Sequence, residues 1–209
     1  MEKPLVGISG KANAGKDSIA DYLVLCGWKQ KVSFAGNLKR ICSEAFDIDI
    51  DTFNDQELKK KPFDEAFTIS HEKASEVVKL AFGENKLFLW DAMTIINTPR
   101  ELLQEVGTDL LRMVDEDCHV EIFKRFAGDD LSGLIIPDVR FPNEAEFVLR
   151  SGGVLIRVDR PVEFLTTNNH ISETSLDEWS HWTYRINNDE LGLESLHRKV
   201  DKMLKELSL

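Results

Sequence analysis

Leu5–Ser18 (LVGISGKANAGKDS) decides how the rest of this 209-residue chain is read. Pro4 to Ser9 is a short apolar run suited to a buried β-strand. Gly10, Gly15 and Lys16 then fall at the spacing G-x-x-x-x-G-K, and Ser18–Leu25 (SIADYLVL) carries the apolar rhythm of a helix. Strand, glycine-rich turn and helix in that order describe a phosphate-binding loop. Successive backbone N–H groups of Gly10, Lys11, Ala12, Asn13, Ala14 and Gly15 can point inward at a phosphate, and the helix N-terminus adds its positive end. Glycine is needed where a side chain would block the approach or forbid the backbone angles. Lys16 reaches the β- and γ-phosphates, where charge grows during transfer. The alternative is a glycine-rich turn without a ligand.

The residue after the lysine is Asp17, where a Ser or Thr usually holds Mg²⁺, and Ser18 offers a hydroxyl one place later. Asp17 and Ser18 are therefore the candidate metal ligands, directly or through a water. Asp17 equally suits the positive end of the helix dipole, and both readings can hold.

A formal charge of −11 argues against a general nucleic-acid binder, which needs a basic face, but not against a nucleotide substrate met by a few cations. Cys26, Cys42 and Cys118 are odd in number, unclustered and in apolar helical surroundings, which reads as reduced core cysteine. No apolar run approaches membrane-spanning length, and the chain enters a strand at once, leaving no room for a signal peptide. The expectation is a soluble, cytoplasmic protein.

Along the chain an α/β alternation is broken by one long interruption. Lys31–Phe34 reads as a short strand and Gly36–Phe46 as a helix. Asp47–Pro62 lacks clean periodicity and is expected to be a loop or small excursion. Glu72–Phe82 is amphipathic through Ala74, Val77, Val78 and Ala81. Thr98-Pro99-Arg100-Glu101 is a helix start, with Thr98 as N-cap and Glu101 closing a capping box, and the helix should run through Leu110. Leu131–Pro137 and Val154–Val158 read as strands around the helix Asn143–Arg150, which Gly152 and Gly153 end. Arg185–Ile186 begins a last strand before the helix Leu193–Leu207, whose apolar face holds Leu193, Leu196, Val200, Met203, Leu204 and Leu207. The simplest organisation is a single domain over residues 1–209.

The strand ending at Pro137 is followed by Asp138-Val139-Arg140. Ligands of parallel α/β sheets bind at the carboxyl ends of strands, so an acid and an arginine there are candidate catalytic groups beside Lys16. Asp138 can orient waters of a metal and Arg140 can neutralise a transferring phosphoryl group. A surface ion pair is the plainer reading of the two.

Several segments together resemble the deoxynucleoside monophosphate kinases of tailed bacteriophages. They are Gly10–Ser18 (GKANAGKDS), Phe34–Lys39 (FAGNLK), Leu103–Leu110 (LQEVGTDL), Ile136–Glu144 (IPDVRFPNE), Arg160-Pro161 through His170-Ile171, and Ile186–Asp189 (INND). The likeness runs in order through nearly the whole chain except residues 47 to 95. It implies a three-layer α/β P-loop kinase fold with a central parallel sheet, a helical substrate-binding excursion at about 36–126 and a lid at about 160–183. The implied reaction transfers the γ-phosphoryl group of ATP, with Mg²⁺, to a deoxynucleoside monophosphate. Nucleoside monophosphate kinases also tolerate a non-hydroxyl residue after the loop lysine.

Carried over residue by residue, the resemblance puts the ATP phosphates on Gly10–Ser18, with Arg160 and Asn188 also on the nucleotide. It puts the deoxynucleotide on Phe34, Lys39, Arg40, Arg100, Gln104, Thr108, Asp109, His119 and Asn143. His119 stands where relatives often have a tryptophan able to stack on the base, which leaves base preference open. Pro161–Thr183 contains no lysine or arginine, so lid charge must come from Arg140, Arg160 or Arg185. The partner expected is a small nucleotide, with neither nucleic acid nor membrane, and a homodimer stays open. Two other functions remain: a P-loop kinase of another metabolite, of phosphomevalonate or dephospho-coenzyme A type, or a non-enzymatic nucleotide-binding module.

Overall fold

The strand β1 (Val6–Ser9) is buried at all four positions, which places it inside a sheet covered on both faces. The computed structural model describes residues 2–161 and 174–209 and shows β1 at the centre of five parallel strands. The others are β2 (Gln30–Lys31), β3 (Leu134–Ile136), β4 (Val154–Asp159) and β5 (Tyr184–Asn187), in the order β2-β3-β1-β4-β5. Val6 pairs with Ile135 on one side and Val154 on the other, so the two inner neighbours of β1 come from far along the chain.

Helix α1 (Lys16–Leu25) and the carboxyl-terminal helix α9 (Leu193–Glu206) cover one face of the sheet. Their Ile19, Ala20, Leu23, Leu196, Val200 and Met203 pack with Val6, Ile8, Ile156, Val158 and Ile186. Alternation turns Gly7 to the opposite face, where Val148 of helix α8 (Pro142–Arg150) comes so close that a Cβ on Gly7 would stand 2.8 Å from it. Helix, sheet and helix form the three layers of an α/β P-loop kinase fold.

Backbone contacts divide the chain into two compact units, Met1–Phe34 with Ala127–Leu209, and Ala35–Phe126. The second unit is helical: most of α2 (Phe34–Phe46), then α3 (Ile50–Asn54), α4 (His71–Phe82), α5 (Pro99–Gln104), α6 (Leu111–Val114) and α7 (Cys118–Ala127). Its core gathers Ile41, Cys42, Phe53, Val77, Leu102, Val106, Leu110 and Ile122.

Several boundaries differ from the expectations. Ordered structure appears inside Asp47–Pro62: α3 starts where the Asp49 carboxylate accepts the Asp51 amide, and its Phe53 is wholly buried. A single 3₁₀ turn follows at Leu58–Lys60. The strand expected at Lys31–Phe34 ends at Lys31, because Phe34 already begins α2. The helix starting at Thr98 is not uniform: α5 gives way to a π-helical turn at Glu105–Leu110 before α6. Thr98 caps it as expected, accepting the Glu101 amide at 3.2 Å, while Glu101 reaches past the cap to the Asn97 amide at 2.7 Å. On α9, Leu193 faces outward at 59% exposure, so the buried stripe begins at Leu196. The three cysteines are free thiols, Cys42 and Cys118 buried and Cys26 half-buried.

Candidate active site

The glycine-rich loop joins the carboxyl end of β1 to the first turn of α1, and main-chain contacts hold it. A Cβ on Gly10 would lie 2.6 Å from the Val158 carbonyl oxygen, so the chain passes β4 too closely for a side chain. Gly15 caps α1 in the left-handed region, φ 102° and ψ 16°, where other residues are strained. A Cβ on Gly15 would also stand 2.8 Å from Nδ2 of Asn188. That Nδ2 donates to the Ala14 carbonyl at 2.9 Å, and the Asn188 amide donates to Asp159 at 2.7 Å. Asn188, buried just past β5, thus ties the loop to the sheet.

Lys16 opens α1 and folds its ammonium back over the loop, donating to the carbonyls of Gly10 and Lys11 at 2.8 Å each. A cation is therefore held at the mouth of a turn rich in amides. Arg160, after β4, donates from Nη1 to the Asn13 carbonyl at 2.8 Å. Lys11 makes a two-oxygen ion pair with Asp177 at 2.6 and 2.7 Å, and Arg157 approaches the same carboxylate at 3.6 Å. Asp17 is exposed and Ser18 half-buried in the first turn of α1. The lid expected at Pro161–Thr183 lies in part outside the described residues, as does His170; Asp177 belongs to its described end.

Asp138 follows β3, and its Oδ1 accepts the Phe34 amide at 3.1 Å, fastening the start of α2 to the end of the strand. Arg140 is half-buried two residues on, and its amide donates to Glu144 Oε2 at 2.7 Å. The Phe141 amide donates to the same oxygen at 3.1 Å. Glu144 is 2% exposed, so a buried carboxylate fixes the turn that carries Asp138 and Arg140. Asn143 lies half-buried in the first turn of α8. Loop, Lys16, Asp138, Arg140, Arg160 and Asn188 all belong to the first unit.

The second unit carries most of the residues expected at the acceptor. Arg100 and Gln104 sit one turn apart on α5, both exposed and without a side-chain partner among the described residues. Thr108 and Asp109 fall in the π-turn. His119, on α7, places Nε2 at 3.1 Å from the Gly107 carbonyl, which makes it the donor. Burial pushes the His119 imidazole down to about 4, helped by the Arg112 cation and opposed by that carbonyl. At neutral pH the ring is an uncharged clamp on the π-turn. Gly107 is itself pressed by Leu38, which a Cβ would meet at 2.6 Å. Lys39 donates to Asn54 at 3.1 Å and Arg40 lies over the Phe126 ring at 4.9 Å. Asn37, in the first turn of α2, is 4% exposed, and its Nδ2 has no partner among the described residues.

Three residues of these constellations were not anticipated. Glu144 had a signal, because an acid three places after a helix start commonly reaches back to the preceding amides. Asp177 and Asn37 had none: one acts across 166 residues and the other is notable only for its burial.

A family model described as deoxynucleotide monophosphate kinase matches residues 59–200. A protein of Acanthamoeba polyphaga mimivirus bearing that family's name is 34% identical over 187 residues, covering 82% of this chain and 81% of its own. The deoxynucleoside-5′-monophosphate kinase of Escherichia phage T5 is 25% identical over 240 residues, covering 94% of each. The family match takes in much of the 47–95 interval that the resemblance read from the sequence leaves out, and both relatives extend the likeness across most of the chain. The chain belongs to the deoxynucleotide monophosphate kinase family and is a phosphotransferase.

Proposed function

We propose that the protein transfers the γ-phosphoryl group of ATP to a deoxynucleoside 5′-monophosphate, giving the diphosphate and ADP. The observation that carries this reading is the loop Gly10–Ser18, with Lys16 held at its mouth and Asn188 and Arg160 fastening its carbonyls. The loop amides take the β-phosphate, and Lys16 exchanges carbonyl contacts for phosphate oxygens as charge builds on the γ-group. An oxygen of the acceptor phosphate attacks the γ-phosphorus, the bond to the β–γ bridging oxygen breaks, and the electron pair leaves with ADP.

Mg²⁺ fits this chain as a companion of the nucleotide. Asp17, Ser18 and Asp138 offer hard oxygen donors, while no group of three or more His, Cys, Asp or Glu able to hold a metal occurs among the described residues. When bound, the ion shields the phosphate charges and fixes their orientation. Arg140, on the turn set by Glu144, supplies positive charge for the transferring group, and the Asp138 carboxylate would help to hold the ion through its hydration.

On the second unit, Arg100 and Gln104 present an uncommitted cation and a donor–acceptor amide on one helical face, which suits the phosphate and base edge of a nucleotide. The buried Nδ2 of Asn37 calls for an oxygen acceptor, and the first turn of α2 is where the resemblance puts the acceptor phosphate. Residues 36–126 thus act as the acceptor-binding excursion and 160–183 as the lid. With a charge of −11 the protein acts on free nucleotides rather than on DNA, in the cytoplasm where those pools lie, the host's if it is virus-encoded.

Purified protein with ATP and Mg²⁺ should phosphorylate at least one of dGMP, dTMP, dCMP or dAMP faster than any ribonucleotide. Inactivity on all four, together with turnover of phosphomevalonate or dephospho-coenzyme A, would move the assignment to a metabolite kinase.

A further inference from the structure

Beside the glycine-rich loop of the first unit, charged groups alternate in a row. Lys11 donates to both oxygens of Asp177 at 2.6 and 2.7 Å, and Arg157 Nη2 stands 3.6 Å from Asp177 Oδ1. Arg157 Nε donates to Asp159 Oδ1 at 3.1 Å, and Arg185 Nη1 donates to Asp159 Oδ2 at 2.9 Å. Among the described residues, three cations of this row thus share two carboxylates. Arg157 is the fixed member. It is 9% exposed, pairs in register with Ser9 at the end of β1, and lies over the Trp182 ring at 5.5 Å. Asp177 is the movable member, with a side chain 39% exposed. Its own turn is held by other contacts: the Asp177 amide donates to the Thr174 carbonyl at 2.9 Å, and Leu176 beside it is 3% exposed. The carboxylate can therefore change partners while the turn stays in place.

We propose that Asp177 is a latch on the donor site: its carboxylate holds Lys11 before nucleotide binds, and the phosphates of ATP displace it onto Arg157. This rests on the reading of Gly10–Ser18 as the ATP site. Lys11 is the second residue of that loop, so its ammonium is among the charges a triphosphate meets, and it is already paired with an anion. Two carboxylate oxygens on one ammonium imitate two phosphate oxygens. The phosphates carry the greater charge and win the exchange. Residues 161–183 supply Glu163, Glu173, Asp177 and Glu178 but no lysine or arginine. A carboxylate left beside the triphosphate would meet repulsion that its own segment cannot relieve. Arg157, already 3.6 Å away, gives Asp177 a second partner. The latch lowers donor affinity and ties the described end of the lid to whether the loop is filled.

The test is calorimetric titration of ATP into the full chain without acceptor, for wild type, Asp177→Asn, Asp177→Ser and Asp177→Glu. Circular dichroism should show all four folded alike, because the substituted side chain is exposed. The two neutral variants should bind ATP at least about threefold more tightly than wild type at low salt, the scale of one partly exposed ion pair. Asp177→Glu should bind as wild type does. The gain should shrink as ionic strength rises and vanish in a Lys11→Met background. Neutral variants that bind ATP no more tightly than wild type overturn the latch and leave the loop reading in place. A gain that persists in Lys11→Met does the same. Failure of wild type to bind ATP overturns the loop reading and the latch together.

Discussion

In the unit formed by Met1–Phe34 and Ala127–Leu209, the glycine-rich loop proposed to hold the nucleotide phosphates is gripped through main chain. Val158 presses on Gly10, Asn188 holds Ala14, and even the Lys16 ammonium rests on carbonyls. In Ala35–Phe126 the exposed Arg100 and Gln104 ride on a helix whose π-turn is clamped by one imidazole, His119 on Gly107. The difference is one of tolerance. Backbone cradles depend on glycine and on spacing, and they read any nucleoside triphosphate through its phosphates. An exposed side-chain surface on a helix can change its preference by small substitutions. A kinase that keeps one donor and varies its acceptors profits from that division.

The largest effect expected is on the first unit. Lys16→Ala should lower turnover at least about a hundredfold while circular dichroism and melting stay as in wild type. Activity within a few fold of wild type would remove the phosphate role from this unit.

Next comes the clamp of the second unit. The His119 imidazole is depressed to about 4 in the folded chain against about 6.5 unfolded, so protons favour the unfolded state between those values. Stability from this site is intact above pH 6.5 and falls as pH drops toward 4, by roughly 2–3 kcal/mol in all. Denaturant unfolding of His119→Gln across that window should show a flatter pH profile than wild type. Identical slopes would mean that the ring is not the buried neutral group described.

Arg100→Ala should raise KM for the deoxynucleotide about tenfold, the loss of one charge-assisted contact, with KM for ATP unchanged. An equal change in both would erase the distinction between donor and acceptor units. The smallest effect should come from Asp17→Ala, which is expected to raise the Mg²⁺ concentration for half-maximal rate. Unchanged Mg²⁺ dependence with a small loss of stability would reduce Asp17 to a helix-terminus charge.

The sequence made the first unit legible because its signals are local. Glycine spacing, apolar strands and the Asp138-Val139-Arg140 strand end each sit within a dozen residues. The helix capped by Thr98 was equally plain. What escaped was set by tertiary contact. The π-turn shifts the stripe of Leu102, Leu103, Val106 and Leu110 by one place, too little to disturb helical periodicity. Helix α3 hangs on Phe53 inside an acidic stretch that reads as loop. The inward turn of Asn188 toward Ala14 depends on β5 lying beside β4, which no spacing encodes.

The central place of β1 has a consequence for how the protein is made. Its partners begin at residues 134 and 154, after the whole of Ala35–Phe126. At about 5–20 residues per second a ribosome needs roughly 6–30 s to deliver them after β1. Through that interval the apolar Leu5–Ser9 run waits without a sheet, and the helical unit, contiguous in sequence, is completed before the sheet can close. Newborn chains are therefore most open to aggregation and to chaperone capture at β1, and the glycine-rich loop is among the last features to take shape.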